Sequence, residues 1–495
     1  MTTRTAEAPR PATRRGVSRT WLALAGITVL AAALRIPALS DSFFGDELFT
    51  YLISTRPDLH AVLAGVKSNL EITPPLFFVV AWLFGKLGDP FVWLRMPSLI
   101  AGVATVPLVY VLGARTVGRK AGLAGAGLFA LSPFAIFYAT EARAYALMTL
   151  LVVLSTLTLL RAIDSNERRW WVVLGLLEAA AMYSHYTAVF VLAAQAGWAV
   201  LAHRERVRGL LLSSIGAFIL FAPWLPFMAD DAKAPNQAII GALEPFGPAT
   251  VARNVGRLVD GDPFAPLTDL PGTPAFVLLG LAFVVGMAGM VRAHGRPDRG
   301  AWRRPAALVA LLALAAPVGA ALYSAVGDDL FVARNLISSL PYLALAFAAL
   351  LLSAPRRAAA AGLALAFAAL AIGAAGTFEA DTRRPPYDDV ATFIKQRARP
   401  GDVVLDLALF PGPPGLALEV HVVPELRVFR LGYPGQERKA IRVARRGHGR
   451  IFYVRPEIGI VRGAVPKLVA RRYREAESRA WSGWFDLTAV VYEPR

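Results

Sequence analysis

The sequence is divided into apolar runs of about 20 residues, separated by short stretches that are polar or basic. A helix rises about 1.5 Å per residue, so a run of this length crosses the ~30 Å hydrocarbon core of a bilayer. Hydrophobic residues make up 56% of the chain and charged residues only 18%, a composition that excludes an ordinary soluble enzyme. The sequence therefore predicts a polytopic α-helical membrane protein.

Basic residues between the apolar runs predict how the chain is threaded through the membrane. Five arginines precede the first run, and clusters of Arg and Lys recur after every second run. Basic loops are retained on the cytoplasmic side, so the N-terminus and these clusters are predicted to lie inside. Because the loops must alternate between inside and outside, this parity predicts about eleven transmembrane helices. They lie at residues 20–39, 92–113, 120–140, 144–161, 170–183, 186–202, 209–228, 273–292, 305–325, 335–353 and 358–376.

The same parity assigns the apolar stretch Pro74–Leu87, which is shorter than the ~20 residues of a full span. Counting it as a span would reverse the side of the next basic cluster, so we expect it to lie at the outer face. Frequent Ala and Arg with few Lys is typical of a GC-rich bacterial genome. The expected location is a bacterial cytoplasmic membrane, with the N-terminus inside and the C-terminal domain outside.

Three regions follow from this topology. Residues 1–19 form a basic cytoplasmic tail that we expect to be disordered, and residues 20–376 form the transmembrane domain with an outer loop at 40–91. Residues 377–495 have mixed composition and are predicted to form a soluble extracytoplasmic α/β domain. Its predicted strands are Val403–Leu409, Ile451–Val454 and Leu487–Tyr492, and its predicted helices are Asp388–Arg397, Glu437–Arg446 and Val465–Arg474.

Ionisable residues are concentrated at the outer ends of the predicted helices. Asp46 and Glu47 follow the first span, and adjacent carboxylates at such a place can supply a general base and a second acceptor or metal ligand. A solvated acidic loop is the alternative explanation of this pair. Charged groups are costly near a bilayer, so several on one face indicate a site, although each alone is compatible with snorkelling or an ion pair. The others are Glu141, Arg143, His185, Tyr186 and Arg334.

The sequence gives less support to a catalytic role for Glu178, to a zinc or nucleotide site, or to nucleic-acid binding. Glu178 falls within a predicted span, and a structural ion pair with a buried partner such as Arg35 is the favoured explanation. The chain has no cysteine, its six histidines lack zinc-ligand spacing, and no phosphate-binding Gly-rich motif is present. The net charge of +17 is explained by the cytoplasmic loops, so no nucleic-acid partner is expected.

A series of short motifs carries a resemblance to a known family. In order they are Gly45-Asp46-Glu47, Thr73-Pro74-Pro75-Leu76, Leu94-Arg95-Met96-Pro97, Tyr138-Ala-Thr-Glu141-Ala-Arg143-Ala-Tyr145 and Tyr183-Ser-His185-Tyr186. As an ordered set, this series resembles the bacterial branch of the GT-C glycosyltransferases, the relatives of protein mannosyltransferases and aminoarabinose transferases known as family 39. The resemblance extends over residues 20 to 376 and implies a GT-C fold.

The resemblance implies a membrane glycosyltransferase that uses a polyprenyl-phosphate monosaccharide as donor. Asp46 matches the base that takes the proton of the acceptor hydroxyl, Glu47 would hold the acceptor or assist a metal ion, and Glu141 matches a second acidic position. The family more often has His where this chain has Thr73, and it has Arg-Tyr where this chain has Arg followed by Asn at 334 and 335. Only the arginine, Arg334, therefore carries over.

The donor phosphate also needs positive groups, because sugar–phosphate cleavage leaves negative charge on the departing phosphate. The candidates for this task are Arg143, His185 and Arg334, and the candidates for other substrate contacts are Tyr51, Tyr145 and Tyr186. Attack from the side opposite the phosphate predicts inversion at the anomeric carbon. A divalent cation, Mg²⁺ or Mn²⁺, is the candidate cofactor.

The predicted reaction moves mannose or a related sugar to a lipid, glycan or protein acceptor on the outer face, in contact with membrane lipid. The competing function is a multi-pass transporter or a flippase for lipid-linked sugars, in which the same charges would line a path through the helices. A third alternative is a structural membrane receptor with an outer sensor domain. A transfer assay with a lipid-linked sugar distinguishes the enzyme from both alternatives.

Overall fold

The structure is a computed structural model that describes residues 19–68, 71–231, 245–263, 266–293, 303–408, 412–423, 425–431 and 433–495. Of the predicted cytoplasmic tail, residues 1–18 lie outside this part of the chain. The described residues contain a bundle of apolar helices and, after it in sequence, one five-stranded sheet.

Eleven helices of the described residues overlap the eleven predicted spans, although three of them, Arg119–Leu131, Arg168–Ser184 and Ala188–Ala202, fall short of a membrane span in length. Eight of them lie in segments that are long and apolar enough to cross a membrane by length and composition, and the predicted polytopic α-helical architecture is confirmed. The eleven helices are Arg19–Arg35, Met96–Thr116, Arg119–Leu131, Tyr145–Ser165, Arg168–Ser184, Ala188–Ala202, Val207–Phe221, Thr273–Ala293, Pro305–Val326, Leu340–Leu352 and Arg356–Gly376.

The predicted span 120–140 is divided into two helices by a proline. The helix Arg119–Leu131 ends before Ser132, and a second helix, Pro133–Tyr138, follows at once. Proline lacks an N–H group and favours the first turn of a helix, where no such donor is needed. The Ser132 side chain caps the new helix by accepting a hydrogen bond from the Ala135 N–H at 3.3 Å. This break places residues 139–144 in a short irregular segment between helices.

Several shorter helices surround the ends of these long ones. The apolar segment predicted to lie at the outer face forms the helix Leu76–Gly85, which is only 10 residues long and therefore shorter than a full span. The remaining short helices of the bundle region are Glu47–Ser54, Leu59–Val66, Pro90–Trp93, Leu225–Asp231 and Pro248–Asp260.

The C-terminal part of the chain forms a mixed sheet with the strand order β2-β1-β3-β5-β4. β1 pairs in parallel with β2 and β3, whereas β5 runs antiparallel to β3 and β4. The strands are β1 (Val403–Asp406), β2 (Arg427–Arg430), β3 (Ile451–Pro456), β4 (Tyr473–Trp481) and β5 (Leu487–Pro494). The helices are Tyr387–Arg397, Glu419–Val422, Gln436–Arg446 and Lys467–Ala470. We refer to residues 377–495 as the sheet domain.

Two strands of this sheet are absent from the sequence prediction, and one predicted helix is partly wrong. Of the predicted helix Val465–Arg474, only Lys467–Ala470 is helical, and β4 begins at Tyr473. β4 is an edge strand whose residues 474–480 are exposed on both faces. It therefore lacks the alternation of apolar and polar residues by which a half-buried strand is recognised in sequence.

The two faces of the sheet pack against different parts of the protein, because successive side chains of a strand point to opposite sides. One face, which includes Val404 and Phe452, shares a core with Phe43, Leu48 and Leu94 of the outer loop and the following helix. The opposite face is covered by the helix Gln436–Arg446 through Ala440, Ile441 and Ala444, which pack on Val403 and Ile451. The sheet domain therefore packs directly on the loop that carries the Asp46–Glu47 pair.

Candidate functional site

Asp46 and Glu47 lie at the start of the helix Glu47–Ser54, after a turn at Gly45. Gly45 has a φ of 59°, a left-handed conformation that glycine adopts without the strain a side chain would cause. Although adjacent in sequence, the two carboxylates have different surroundings. The Asp46 side chain is 35% exposed, whereas the Glu47 side chain is completely buried.

Glu47 is held by two arginines and a backbone N–H group. Arg95 donates to both of its oxygens at 2.7 and 2.6 Å, and the Ala142 N–H donates at 2.8 Å. The Nε of Arg384 lies 3.3 Å from the Oε2 of Glu47. Burial alone would raise the pKa of Glu47, but the charges of Arg95 and Arg384 outweigh it and lower this pKa. Glu47 is thus an ionised anchor within the protein, and its predicted contact with an acceptor or a metal does not fit this environment.

Arg95 extends the same anchor to the rest of the outer loop. This completely buried residue precedes the helix Met96–Thr116 and donates to the carbonyl oxygens of Leu39, Asp41 and Ser42 at 2.5–3.0 Å. A buried pair with good geometry and filled hydrogen bonds fixes the relative positions of the segments that carry it. The Arg95–Glu47 pair therefore holds Asp46 in place at the start of the helix Glu47–Ser54.

Asp46 is paired with Arg334, which lies 288 residues later in the sequence. The Nη1 of Arg334 lies 3.3 Å from the Oδ2 of Asp46, and the Arg334 side chain is 26% exposed. Arg334 lies in the 3-10 turn Ala333–Ser339, just before the helix Leu340–Leu352. The structure thus brings together two of the predicted site residues and leaves both partly open to solvent.

Glu141 lies between these groups in the irregular segment after the helix Pro133–Tyr138. Its carboxyl group is buried, and within the described residues its Oε2 has no hydrogen-bond partner. Burial, together with the negative charges of Glu47 and Asp46, raises the pKa of Glu141 to about 8. At neutral pH this carboxyl is therefore mostly protonated and can donate a hydrogen bond.

Arg143 forms a bidentate pair with Glu71, a residue that the sequence analysis missed. Its Nη1 and Nη2 lie 2.5 and 3.1 Å from the two Glu71 oxygens, and Nη2 also donates to Thr73 Oγ1 at 3.0 Å. Burial lowers the pKa of Arg143, but Glu71 outweighs this effect and raises it well above its usual value. Since Glu71 occupies both ends of the guanidinium, only part of Arg143 is available for a phosphate. Glu71 lies two residues before the Thr73-Pro74 motif, and this position could have identified it as a site residue from the sequence.

His185 is close to this group but cannot serve as a cation at neutral pH. Burial and the positive charges of Arg143 and Arg334 lower the pKa of His185 to about 3. Its Nδ1 is hydrogen-bonded to Thr187 Oγ1 at 2.9 Å, and its ring packs 5.2 Å from that of Tyr145. The predicted role of His185 as a positive phosphate ligand therefore does not fit its environment, whereas a neutral hydrogen-bonding role does.

The three tyrosines proposed as substrate contacts occupy different places. Tyr145 begins the helix Tyr145–Ser165 and lies beside His185, within the group described above. Tyr51 stacks on Phe91 at 5.3 Å, in the core shared with the sheet domain. The Tyr186 hydroxyl donates to Asp231 at 2.5 Å. Both residues therefore have protein partners of their own in the part of the chain that the structure describes.

The segment that enters the sheet domain contributes a further residue that sequence reasoning missed. Arg384 is buried, lies against Glu47, and donates to the Thr140 carbonyl oxygen at 3.3 Å. Its neighbour Arg383 pairs with Asp41. A basic pair directly after the last predicted span, on the side assigned to the exterior, departs from the positive-inside rule. That departure from the rule could have identified Arg384 as a site residue from the sequence.

A cavity of about 340 Å³ lies between the first membrane helix and this entering segment. Leu34, Pro37, Phe137 and Phe378 form its apolar wall, and Asp41 and Arg384 lie at its polar end. A volume of this size accepts a small ligand or part of a larger one. Because Arg384 also contacts Glu47, the cavity lies next to the charged group.

Two other expectations concern metal ions and Glu178. In the ranges that the structure describes, no three His, Cys, Asp or Glu side chains come close enough to hold a metal ion, and the role of a divalent cation stays a prediction. The suggested Glu178–Arg35 pair is wrong. Ser213 donates to Glu178 at 3.5 Å, and Arg35 donates instead to the Ala130 carbonyl oxygen at 3.0 Å.

Comparison with known proteins gives one family match. Residues 73–227 match the family described as "Dolichyl-phosphate-mannose-protein mannosyltransferase". This region contains Glu141, Arg143 and His185, whereas Asp46 and Arg334 lie outside it. No curated protein matches the chain significantly in sequence.

Solved structures match over nearly the whole chain. ArnT from Cupriavidus metallidurans in the apo state is 12% identical, with a TM-score of 0.55 over 95% of this chain and 97% of that one. The same protein bound to undecaprenyl phosphate is 11% identical, with a TM-score of 0.55 over 96% and 98%. The oligosaccharyltransferase AglB from Archaeoglobus fulgidus, in complex with an inhibitory peptide and a dolichol-phosphate, is 14% identical, with a TM-score of 0.51 over 88% and 69%.

The fold is that of a multi-pass membrane protein and is similar to the GT-C folds of ArnT and AglB, with a C-terminal sheet domain. The resemblance seen in the sequence motifs is thereby confirmed.

Proposed function

We propose that the chain transfers a monosaccharide from a polyprenyl-phosphate donor to an acceptor hydroxyl. The single observation that carries this proposal is the partly exposed Asp46–Arg334 pair, at 3.3 Å, beside the buried carboxyl of Glu141. It combines a carboxylate that can accept a proton with a guanidinium that can bind a phosphate oxygen. The undecaprenyl phosphate of the ArnT structure and the dolichol-phosphate of the AglB structure support a lipid phosphate as carrier.

In the proposed reaction, the acceptor oxygen attacks the anomeric carbon while Asp46 takes the hydroxyl proton. The new bond joins the acceptor oxygen to the sugar, and the bond between the sugar and the phosphate oxygen breaks. The donor phosphodiester carries one negative charge, whereas the lipid phosphate that leaves carries two. Arg334 is the proposed cation for that added charge, and it must turn from Asp46 to reach a phosphate on the opposite side of the sugar. Attack opposite the leaving phosphate inverts the anomeric carbon.

The charges of the site favour an anionic donor. The guanidinium groups of Arg95, Arg143, Arg334, Arg383 and Arg384 surround the site, and their carboxylate partners are Asp41, Asp46, Glu47 and Glu71. Glu141 adds no charge while it is protonated, since its pKa is about 8. Arg334 is the guanidinium best able to meet a single phosphodiester, because its partner Asp46 is itself partly exposed.

Arg384 is assigned the role of a positioning residue in this mechanism. It contacts Glu47 and not Asp46, and its charge lowers the pKa of both Glu47 and Glu141. Through Glu47 it fixes the loop that carries the proposed base. The sheet domain thereby becomes a component of the site, because its entering segment supplies this guanidinium.

The sugar and the acceptor are the finer parts of the proposal. Mannose is the first candidate, and arabinose, aminoarabinose and glucose are the others. The test is transfer from radiolabelled polyprenyl-phosphate sugars by the purified protein, with lipid, glycan and protein fractions of the host envelope as acceptors. The proposal expects a labelled product with one of these sugars. Movement of the lipid-linked sugar across vesicles without any transfer would replace the enzyme with the flippase alternative.

A further inference from the structure

The cavity between the first membrane helix and the segment that enters the sheet domain has a lining of two kinds. Leu34, Pro37 and Phe378 contribute apolar surface to it, and four other lining residues carry hydroxyl groups. With a volume of about 340 Å³, the cavity can enclose a small ligand that has both apolar and hydrogen-bonding surface. The four hydroxyl residues are Ser40, Thr140, Thr377 and Thr382.

Each of these hydroxyl groups already donates its single hydrogen to a backbone carbonyl oxygen of the protein. A hydroxyl has one donor hydrogen and two acceptor lone pairs, so each oxygen can accept a hydrogen bond from a ligand while its own bond stays in place. The bonds run from Ser40 to Pro37 at 3.0 Å, from Thr140 to Phe137 at 2.9 Å, from Thr377 to Ala374 at 2.7 Å and from Thr382 to Gly376 at 2.6 Å.

The two arginines of the lining are likewise directed at acceptors of the protein. Arg383 donates through Nε and Nη2 to Asp41 Oδ1. Arg384 donates to a backbone carbonyl oxygen at 3.3 Å, and its Nε lies 3.3 Å from the Oε2 of Glu47. Asp41 and Glu47 therefore balance the charges of these two arginines, and Asp262 is a further acidic residue of the lining.

This arrangement of donors and acceptors selects the class of ligand. A phosphate or carboxylate ion offers only acceptors and a negative charge, so it would face hydroxyl oxygens that also accept and arginines that carboxylates already balance. A neutral sugar offers several O–H donors around a ring whose C–H faces are apolar. The sugar matches both the hydroxyl oxygens and the apolar wall of the cavity.

We propose that this cavity holds a neutral sugar unit of the acceptor, so that the acceptor is a glycan. The donor sugar must lie at the Asp46–Arg334 pair, and neither residue is among those that line the cavity. The cavity is nevertheless adjacent to the site, because Thr140 precedes Glu141 and Arg384 contacts Glu47. The identification of the bound sugar as the acceptor rests on the proposed function, whereas sugar binding can be measured without it.

The experiment measures binding to the full-length protein by saturation-transfer difference NMR, in an uncharged detergent without a sugar headgroup. The probes are the methyl glycosides of mannose, glucose and arabinose, with mannose 6-phosphate as the charged counterpart. The test variant is Ser40→Ala/Thr377→Val. Its matched control, Thr116→Val/Ser165→Ala, removes the same two kinds of hydroxyl, each bonded to a carbonyl oxygen of its own helix outside the cavity.

A second variant changes the volume of the cavity and not its hydrogen bonds. Ala38 lines the cavity, so Ala38→Phe should fill part of it. Ala33→Phe, at an exposed position of the first membrane helix, is the control for this change. Thermal unfolding of all four variants shows whether each protein keeps its fold.

The proposal expects at least one neutral glycoside to bind, with a dissociation constant raised at least about fivefold in both cavity variants and less than about twofold in both controls. Methyl mannoside should bind more tightly than mannose 6-phosphate. The proposal would be overturned if no glycoside bound, if the cavity variants behaved like their controls, or if the phosphorylated sugar bound as well as the neutral one.

Transfer from a radiolabelled polyprenyl-phosphate sugar then tests whether the bound glycoside is the acceptor. The glycoside that binds should become labelled, with a KM that rises in the cavity variants. Labelling of a threonine-containing peptide in place of the glycoside would overturn the acceptor assignment. Sugar binding without any breakdown of the donor would contradict the proposed function and the acceptor assignment together, and would support the cavity as a sugar site alone.

Discussion

The Nε of Arg384 lies 3.3 Å from the Oε2 of Glu47, and this contact joins the sheet domain to the loop of the proposed base. Glu47 is completely buried and also holds Arg95. The adjacent Asp46 is consequently fixed in backbone position while its own side chain turns to Arg334. One member of the Asp-Glu pair thus anchors the loop, and the other is available for chemistry.

Replacement of Asp46 by Asn tests the proposed base. Asparagine keeps the size of the side chain but cannot accept a proton at neutral pH, so transfer should fall by about 10²–10⁴-fold. Donor binding should change much less. Turnover and donor affinity are measured separately with the purified protein, and Asp328→Asn, in an exposed position, serves as the control. Full activity in Asp46→Asn would remove the base assignment.

Replacement of Arg384 by Ala tests whether this residue acts through its charge. We expect transfer to need Glu141 in its protonated form, which the charge of Arg384 disfavours, so removal of Arg384 should move the alkaline limb of the pH–rate profile to higher pH. Arg384→Lys keeps the charge and should restore the position of that limb. A purely structural role would lower activity at every pH without moving the limb, and Arg399→Ala provides the exposed control.

Glu141 predicts a specific dependence of stability on pH. Its pKa is raised from 4.5 to about 8, so its contribution is fully favourable below 4.5 and is lost as pH rises through about 8. Glu141→Gln stays neutral, so the variant should gain stability relative to wild type between pH 5 and 9, by up to a few kcal/mol at about 1.4 kcal/mol per pKa unit. Thermal unfolding in detergent across this pH range measures the difference. A constant difference at all pH values would contradict the assignment.

The Glu71–Arg143 pair predicts strong coupling between two residues. Removal of one partner leaves a buried charge uncompensated, so Glu71→Gln and Arg143→Gln should each destabilise the protein by about 3–5 kcal/mol. The double variant should be less destabilised than the sum of the two. If Arg143 also binds the donor phosphate, donor affinity stays reduced in the double variant, whereas a purely structural pair would allow it to recover. Thermal unfolding and donor binding separate these outcomes.

The topology is tested at the C-terminus. The eleven predicted spans are an odd number, so with a cytoplasmic N-terminus we expect Arg495 to lie outside. A reporter that is active only in the exterior should therefore be active when fused after Arg495. Activity of a cytoplasmic reporter at that position would place the Asp46–Arg334 pair on the opposite face from the one proposed.

The sequence by itself predicted the apolar helices, eight of which lie in segments long and apolar enough to span a membrane, because each apolar run is a local property. It also determined β1, β3 and β5, whose buried runs Val403–Asp406, Ile451–Pro456 and Leu487–Pro494 are recognisable without their neighbours. The exposed edge strand β4 could not be found in this way, since its residues carry no apolar pattern.

Only the tertiary structure decided what each charged residue of the site contacts. Asp46 and Glu47 are adjacent and chemically alike, and their difference arises from Arg95, Arg334 and Arg384, which come from distant parts of the chain. A carboxylate that is buried between two guanidinium groups is ionised and held, whereas one at an open edge can exchange protons with a substrate. These contacts depend on how the helices and the sheet domain pack, and no spacing within the sequence encodes them.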